Sequence, residues 1–116
     1  MQVDIELTII NASSFELVKL TKIIPSGYFV EDATERGWGL SIRSLVESHG
    51  QPEELMKSFL HPLHYIVCNE LKKYNMVLRV GIFFSTACCT VRINQIEFLS
   101  DMQLALEIST YPTASE

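Results

Sequence analysis

The stretch Val3-Asp4-Ile5-Glu6-Leu7-Thr8-Ile9 alternates apolar and polar residues without a break. Successive side chains of a strand point to opposite faces, so Val3, Ile5, Leu7 and Ile9 share one side, with Asp4, Glu6 and Thr8 on the other. A strand that is apolar on one side and acidic on the other is half-buried. It belongs in a sheet whose apolar face is covered by something else. The rest of the chain is therefore read for the strands that pair with it and the helices that cover it.

Asn11-Ala12-Ser13-Ser14 ends the alternation. Ser13 and Glu16 have capping-box spacing, and Phe15, Leu17, Val18, Leu20 and Thr21 predict a short amphipathic helix that stops before Pro25. Pro25-Ser26-Gly27 reads as a turn. Tyr28-Phe29-Val30 follows as a brief extended segment, and Glu31-Asp32-Ala33-Thr34-Glu35 as an acidic loop. From Trp38 the period is two again. Trp38, Leu40 and Ile42 face the apolar side, with Gly39, Ser41 and Arg43 opposite. The single tryptophan is thereby expected as a buried anchor together with Leu40 and Ile42. Its neighbours Gly37 and Gly39 serve as turn exit and point of close strand approach.

Residues 52–74 predict helix. Pro52 suits the first helical position, Glu53 and Glu54 the positive N-terminal end, and Lys72 and Lys73 the negative C-terminal end. Leu55, Phe59, Leu63, Ile66, Val67 and Leu71 form its apolar stripe. Pro62 interrupts the pattern, so a break near His61 divides the region into two helical pieces. Met76 to Phe84 is apolar on both faces apart from Arg79, the mark of a central strand. Ala87 to Ile93 alternates as another. Asn94 and Glu97 have capping-box spacing before a short helix carrying Ile96, Leu99 and Met102. Leu104, Leu106 and Ile108 alternate in a last strand, and the tail from Tyr111 is expected to fray. The order predicts one α+β domain over residues 1–116, with its core in about 3–111: a mainly antiparallel sheet with helices on one face.

The composition agrees with a globular chain of 116 residues, 47 % hydrophobic and 20 % charged, with a net charge of -5. That charge disfavours nucleic-acid backbones and favours a basic protein partner. The N-terminus lacks the basic and unbroken apolar regions of a signal peptide, and no apolar run reaches the ~20 residues that span a bilayer. A cytoplasmic protein without membrane attachment is expected, as monomer or homodimer. Cys68, Cys88 and Cys89 are an odd number with two adjacent, which fits reduced thiols.

The order and certain short segments resemble the bacterial family called domain of unknown function 4279. The matching segments are Leu20-Thr21-Lys22-Ile23-Ile24-Pro25, Trp38-Gly39-Leu40-Ser41, the long helical region with Pro62, Ile93-Asn94-Gln95-Ile96-Glu97-Phe98-Leu99, and Leu106-Glu107-Ile108. The likeness covers roughly residues 3–111. Two features depart from the family's usual look: an acidic segment after Pro25 where a basic, glycine-rich loop is usual, and the Cys88-Cys89 pair. The resemblance implies the fold and a bacterial origin and brings no catalytic residues with it. Small acidic bacterial proteins of this kind are often antidotes encoded beside toxins, an association rather than a derivation.

The candidate sites follow from local chemistry. Glu31, Asp32 and Glu35, with Tyr28 and Phe29 beside them, form the expected partner-binding surface, where acids steer and aromatics anchor. His61, His64 and Cys68 share a helical face by spacing and are the candidate metal ligands, although Pro62 disturbs the first of them and the spacing of structural zinc sites is missing. Cys89 reads as a core thiol and Cys88 as a half-exposed one. No nucleophile elbow or phosphate-cradling glycine loop is present in the sequence. The expectation is a non-enzymatic immunity or antidote protein that binds a basic toxin or nuclease and needs no cofactor. Rival readings are a small-ligand or metal-binding sensor and a phage-encoded inhibitor of a bacterial defence protein.

Overall fold

In the computed structural model, which describes residues 2–84 and 97–113, the alternating N-terminal stretch is strand β1 (Gln2–Ile9). It lies inside a six-stranded sheet. The other strands are β2 (Tyr28–Asp32), β3 (Leu40–Ser44), β4 (Ser48–His49), β5 (Met76–Phe84) and β6 (Ala105–Pro112). The sheet order is β2-β3-β1-β5-β6, and the two-residue β4 pairs with β1 beside this path. All pairings are antiparallel except β5 with β6, which run parallel. With its helices, this is the expected α+β architecture.

Alternation distributes the side chains as the sequence requires. Val3, Ile5, Leu7 and Ile9 of β1, Leu40 and Ile42 of β3, and Met76, Leu78, Val80 and Ile82 of β5 are buried in one cluster. Met56, Phe59, Leu60, Leu63, Ile66, Val67 and Leu71 close over them from the helical region. Each such side chain, taken fully out of water, contributes about 1.5–3 kcal/mol.

The helical region is α2 (Pro52–Leu60), a 3-10 turn (His61–Leu63) and α3 (His64–Asn69). The break falls at Pro62, whose ring and missing N–H interrupt the α-helical ladder. Within α2 the buried residues are Pro52, Met56, Phe59 and Leu60, with Leu55 only partly covered. The helix is shorter than residues 52–74, since Lys72 and Lys73 lie beyond its end and cannot complement its dipole. Glu53 keeps only 13 % of its side chain exposed and pairs with Lys57 at 3.7 Å.

The first helix differs from its expected form in phase. It begins as a 3-10 turn (Ser14–Glu16) and continues as α1 (Leu17–Ile23). The tighter 3-10 winding rotates Phe15 away from the core stripe, leaving it 91 % exposed, and Val18 is exposed as well. Leu20 is buried, and Leu17, Ile23 and Ile24 pack beside it. Ser13 and Glu16 form no capping box: the hydroxyl donates to the Glu16 carboxylate at 3.4 Å and neither side chain caps the backbone.

At the other end, Leu99 of the short α4 (Glu97–Asp101) and Met102, in the turn just after it rather than on the helix, reach the core. The expected strand Ala87–Ile93, with Cys88 and Cys89, and the residues Asn94 and Ile96 lie outside the described residues. Strand β6 starts one residue after Leu104 and extends further than expected. Tyr111 and Pro112, assigned to a fraying tail, pair with Phe83 and Phe84. Tyr111 stacks on Phe83 with ring centroids 5.1 Å apart, and the Thr113 N–H donates to the Phe84 carbonyl at 2.7 Å. No described helix is long and apolar enough to cross a membrane.

Candidate functional site

The polar side of β1 belongs to the sheet face opposite the helices. Strand register lines up Phe29, Arg43, Glu6, Arg79 and Glu107 in one row across five strands, all on that open face. Opposite charges at directly paired positions stabilise a sheet. Arg43 is the hub. Its Nη2 donates to both Asp4 oxygens at 2.8 and 2.9 Å, and its Nη1 to Glu6 at 3.0 Å and Glu31 at 3.3 Å. Arg79 lies 4.0 Å from Glu6 and, through Nε, 3.5 Å from Glu107. Arg36 adds a 3.7 Å contact to Glu31.

Two opposed effects act on these groups. Burial pushes the Glu6 carboxyl above the usual glutamate value, and the attraction of Arg43 offsets only part of this. Burial also works against the Arg43 charge. There the neighbouring Asp4, Glu6 and Glu31 carboxylates prevail and hold the guanidinium above its ordinary value. One step along the strands, the Thr8 and Ser41 hydroxyls hydrogen-bond each other at 3.2 Å and are buried.

Trp38 overturns the expectation of a buried anchor. Leu40 and Ile42 are fully buried, but Trp38 is 57 % exposed. The period of two does not pass backwards through Gly39, because that residue has φ +76° and the strand begins only at Leu40. A Cβ on Gly39 would overlap the Ile9 carbonyl oxygen and lie 2.8 Å from that of Ile10, so the backbone needs glycine for this approach. Gly37 also has φ +76°, at the end of the 3-10 turn Thr34–Arg36. The glycines thus do what the sequence implies, and together they turn the tryptophan outward. Hydrogen bonds from Ala33 N–H to Gly39 O and from Trp38 N–H to Ala33 O fasten the turn. Arg36 and Arg79 lie over the Trp38 ring, with guanidinium carbons 5.3 and 5.9 Å from its centroid.

The expected acidic surface does not stay together. Glu31 and Asp32 are strand residues of β2, and Glu35 lies on an exposed 3-10 turn. Glu31 is drawn into the Arg43 network. Asp32 accepts from the Thr34 hydroxyl at 2.6 Å and the Thr34 N–H at 2.9 Å, and these bonds hold its carboxyl below the usual aspartate value. Tyr28 turns to the helical side, where its hydroxyl donates to the Phe59 carbonyl at 2.6 Å and its ring meets Phe59 edge-on at 5.4 Å. Burial raises its pKa. Of the five residues, only Phe29 and Glu31 belong to the open face.

His64 Nε2 and Cys68 Sγ approach to 3.8 Å, while His61 falls in the preceding 3-10 turn. Among the described residues no three His, Cys, Asp or Glu side chains are grouped to hold a metal ion.

Two clefts open on or beside the sheet face. The larger, about 330 Å³, has Phe29, Arg43, Leu45, Val46, Phe59 and Phe83 among its walls. The smaller, about 240 Å³, includes Asp4, Trp38, Arg79, Gly81, Glu107 and Tyr111. Arg79, Glu107 and Tyr111 are absent from the sequence-based candidates. The alternation within each strand marks them as facing away from the core, but only the register brings them together. No family model matches the chain, and no curated protein or solved structure matches it either, so the likeness to domain of unknown function 4279 rests on the residues quoted for it.

Proposed function

We propose that the chain is a non-enzymatic protein-binding module of the antidote type, which occludes a basic toxin or nuclease with the open face of its sheet. The observation that carries this reading is the arrangement of Phe29, Trp38 and Tyr111, all exposed, around an ion-paired centre. Aromatic side chains are the usual anchors of protein interfaces, and surrounding polar groups set register and exclude wrong partners. The net charge of -5 favours encounter with a basic protein. The binding surface is thereby moved from residues 28–35 as a group to the sheet face itself, with Phe29 and Glu31 retained from that group.

Co-expression with the product of the adjacent gene tests this reading. The partner should be toxic alone, neutralised by this chain and co-purified with it. Phe29→Ala and Trp38→Ala should weaken the complex by more than their modest cost to the stability of the free protein. A harmless neighbour, or a toxic one that does not bind, removes the antidote reading. Binding unaffected by both substitutions removes the open face as the surface.

A further inference from the structure

We infer that the smaller cleft is a receptor for one guanidinium, an arginine side chain presented by the partner. This rests on the reading of the sheet face as a protein-binding surface and gives the partner's contact a chemistry. In the network connected among the described residues, Asp4, Glu6, Glu31 and Glu107 carry four carboxylates against the three guanidiniums of Arg36, Arg43 and Arg79. One negative charge is left over. Asp4, Glu6 and Glu31 all bond to Arg43, whereas among the described residues Glu107 meets only the Nε edge of Arg79, at 3.5 Å, and that Nε makes no hydrogen bond there. The Glu107 side chain is 57 % exposed at the cleft, so the surplus is offered to solvent where a partner can reach it.

The shape of the cleft also fits. Trp38 and Tyr111 both line the cleft, and Gly81 contributes no side chain to it. A Cβ at Gly81 would come within 3.2 Å of the Tyr111 ring, so glycine lets the tyrosine lie close against the strand. At about 240 Å³ the space is below the ~300–1,000 Å³ typical of drug-sized pockets and suits a single side chain. The protein itself places guanidinium groups at this site. Arg36 and Arg79 already lie over Trp38, so this ring accepts planar guanidinium groups, which stack on aromatics and pair with carboxylates more readily than ammonium does.

Trp38 is the sole tryptophan, so its fluorescence reports on the cleft alone. The intact protein is titrated with arginine amide, lysine amide and matched sodium chloride. Arginine amide should give a saturable change, with lysine amide weaker and salt giving none. Glu107→Gln should weaken arginine amide roughly threefold to fivefold, the scale of a partly exposed ion pair. Glu47→Gln removes the same charge outside the cleft and should leave the affinity unchanged.

A response without saturation, or one equal to salt, overturns the inference. So does equal binding of lysine amide, an undiminished response in Glu107→Gln, or an equal loss in Glu47→Gln. The two proposals fail separately. A captured partner with no arginine response leaves the antidote reading standing without this contact, whereas an arginine response with no toxic neighbour does the reverse.

Discussion

The two faces of β1 are built from adjacent residues and obey different physics. Val3, Ile5, Leu7 and Ile9 meet a closed apolar layer, where stability comes from excluding water and filling space. Asp4 and Glu6 meet Arg43 and Arg79 at the opposite surface, where charge, hydrogen bonding and partial exposure decide the energy. A buried leucine has no substitute partner if its neighbours are removed. A half-exposed carboxylate always has water. Most of the molecule's stability should therefore reside on the helical side, while the open side remains free to change partners.

The largest test of this contrast is Leu7→Ala. Leu7 is fully buried, and its truncation should destabilise the fold by about 3–5 kcal/mol, measured by denaturant unfolding. A loss no larger than that of a surface substitution would deny the helical side its dominant role.

Gly39 and Gly37 sharpen the comparison at the edge between the faces. Both have φ +76°, and alanine at either meets the left-handed penalty of about 1–2 kcal/mol. Only at Gly39 does the added Cβ also strike the β1 backbone, whereas around Gly37 there is open space. Gly39→Ala should therefore destabilise clearly more than Gly37→Ala in parallel thermal melts. Equal effects would mean that the close approach to Ile9 contributes nothing.

Trp38→Ala should be smaller again, about 0.5–1 kcal/mol, the scale of exposed cation–π contacts. A loss of several kcal/mol in the same unfolding assay would return Trp38 to the role of core anchor.

The smallest effect is a pH dependence with opposite signs at two carboxyls. Glu6 binds its proton more tightly when folded, so its contribution to stability falls as pH rises from the ordinary 4.5 to the raised folded value. Asp32 is depressed by its bonds to Thr34. Its contribution is present above the ordinary 3.8 and is lost as pH falls through the folded value. Carboxyl NMR titration should place Glu6 above and Asp32 below their usual ranges, and the reverse order would contradict the assigned environments.

Much of the fold was legible because alternation and helical spacing record burial locally. The buried face of β1, the central position of β5, the break at Pro62, and Leu40 and Ile42 in the core all follow from residues near one another in the chain. Phe15 and Trp38 escaped that reading for a shared reason. A 3-10 turn in one case and a left-handed glycine in the other resets the phase on which side-chain direction depends.

The candidate site was less legible. Glu31 and Phe29 were visible beside each other, but Arg43, Glu6, Arg79 and Glu107 come from four strands. What the sequence by itself determined is which side of each strand is apolar, because that depends only on a period of two. Which charges meet, and that Trp38 lies beside Arg79 and Tyr111 rather than in the core, was decided by strand register and two backbone angles. Pairing between distant segments and the sign of φ at Gly37 and Gly39 are properties of the assembled sheet, and no local pattern encodes them.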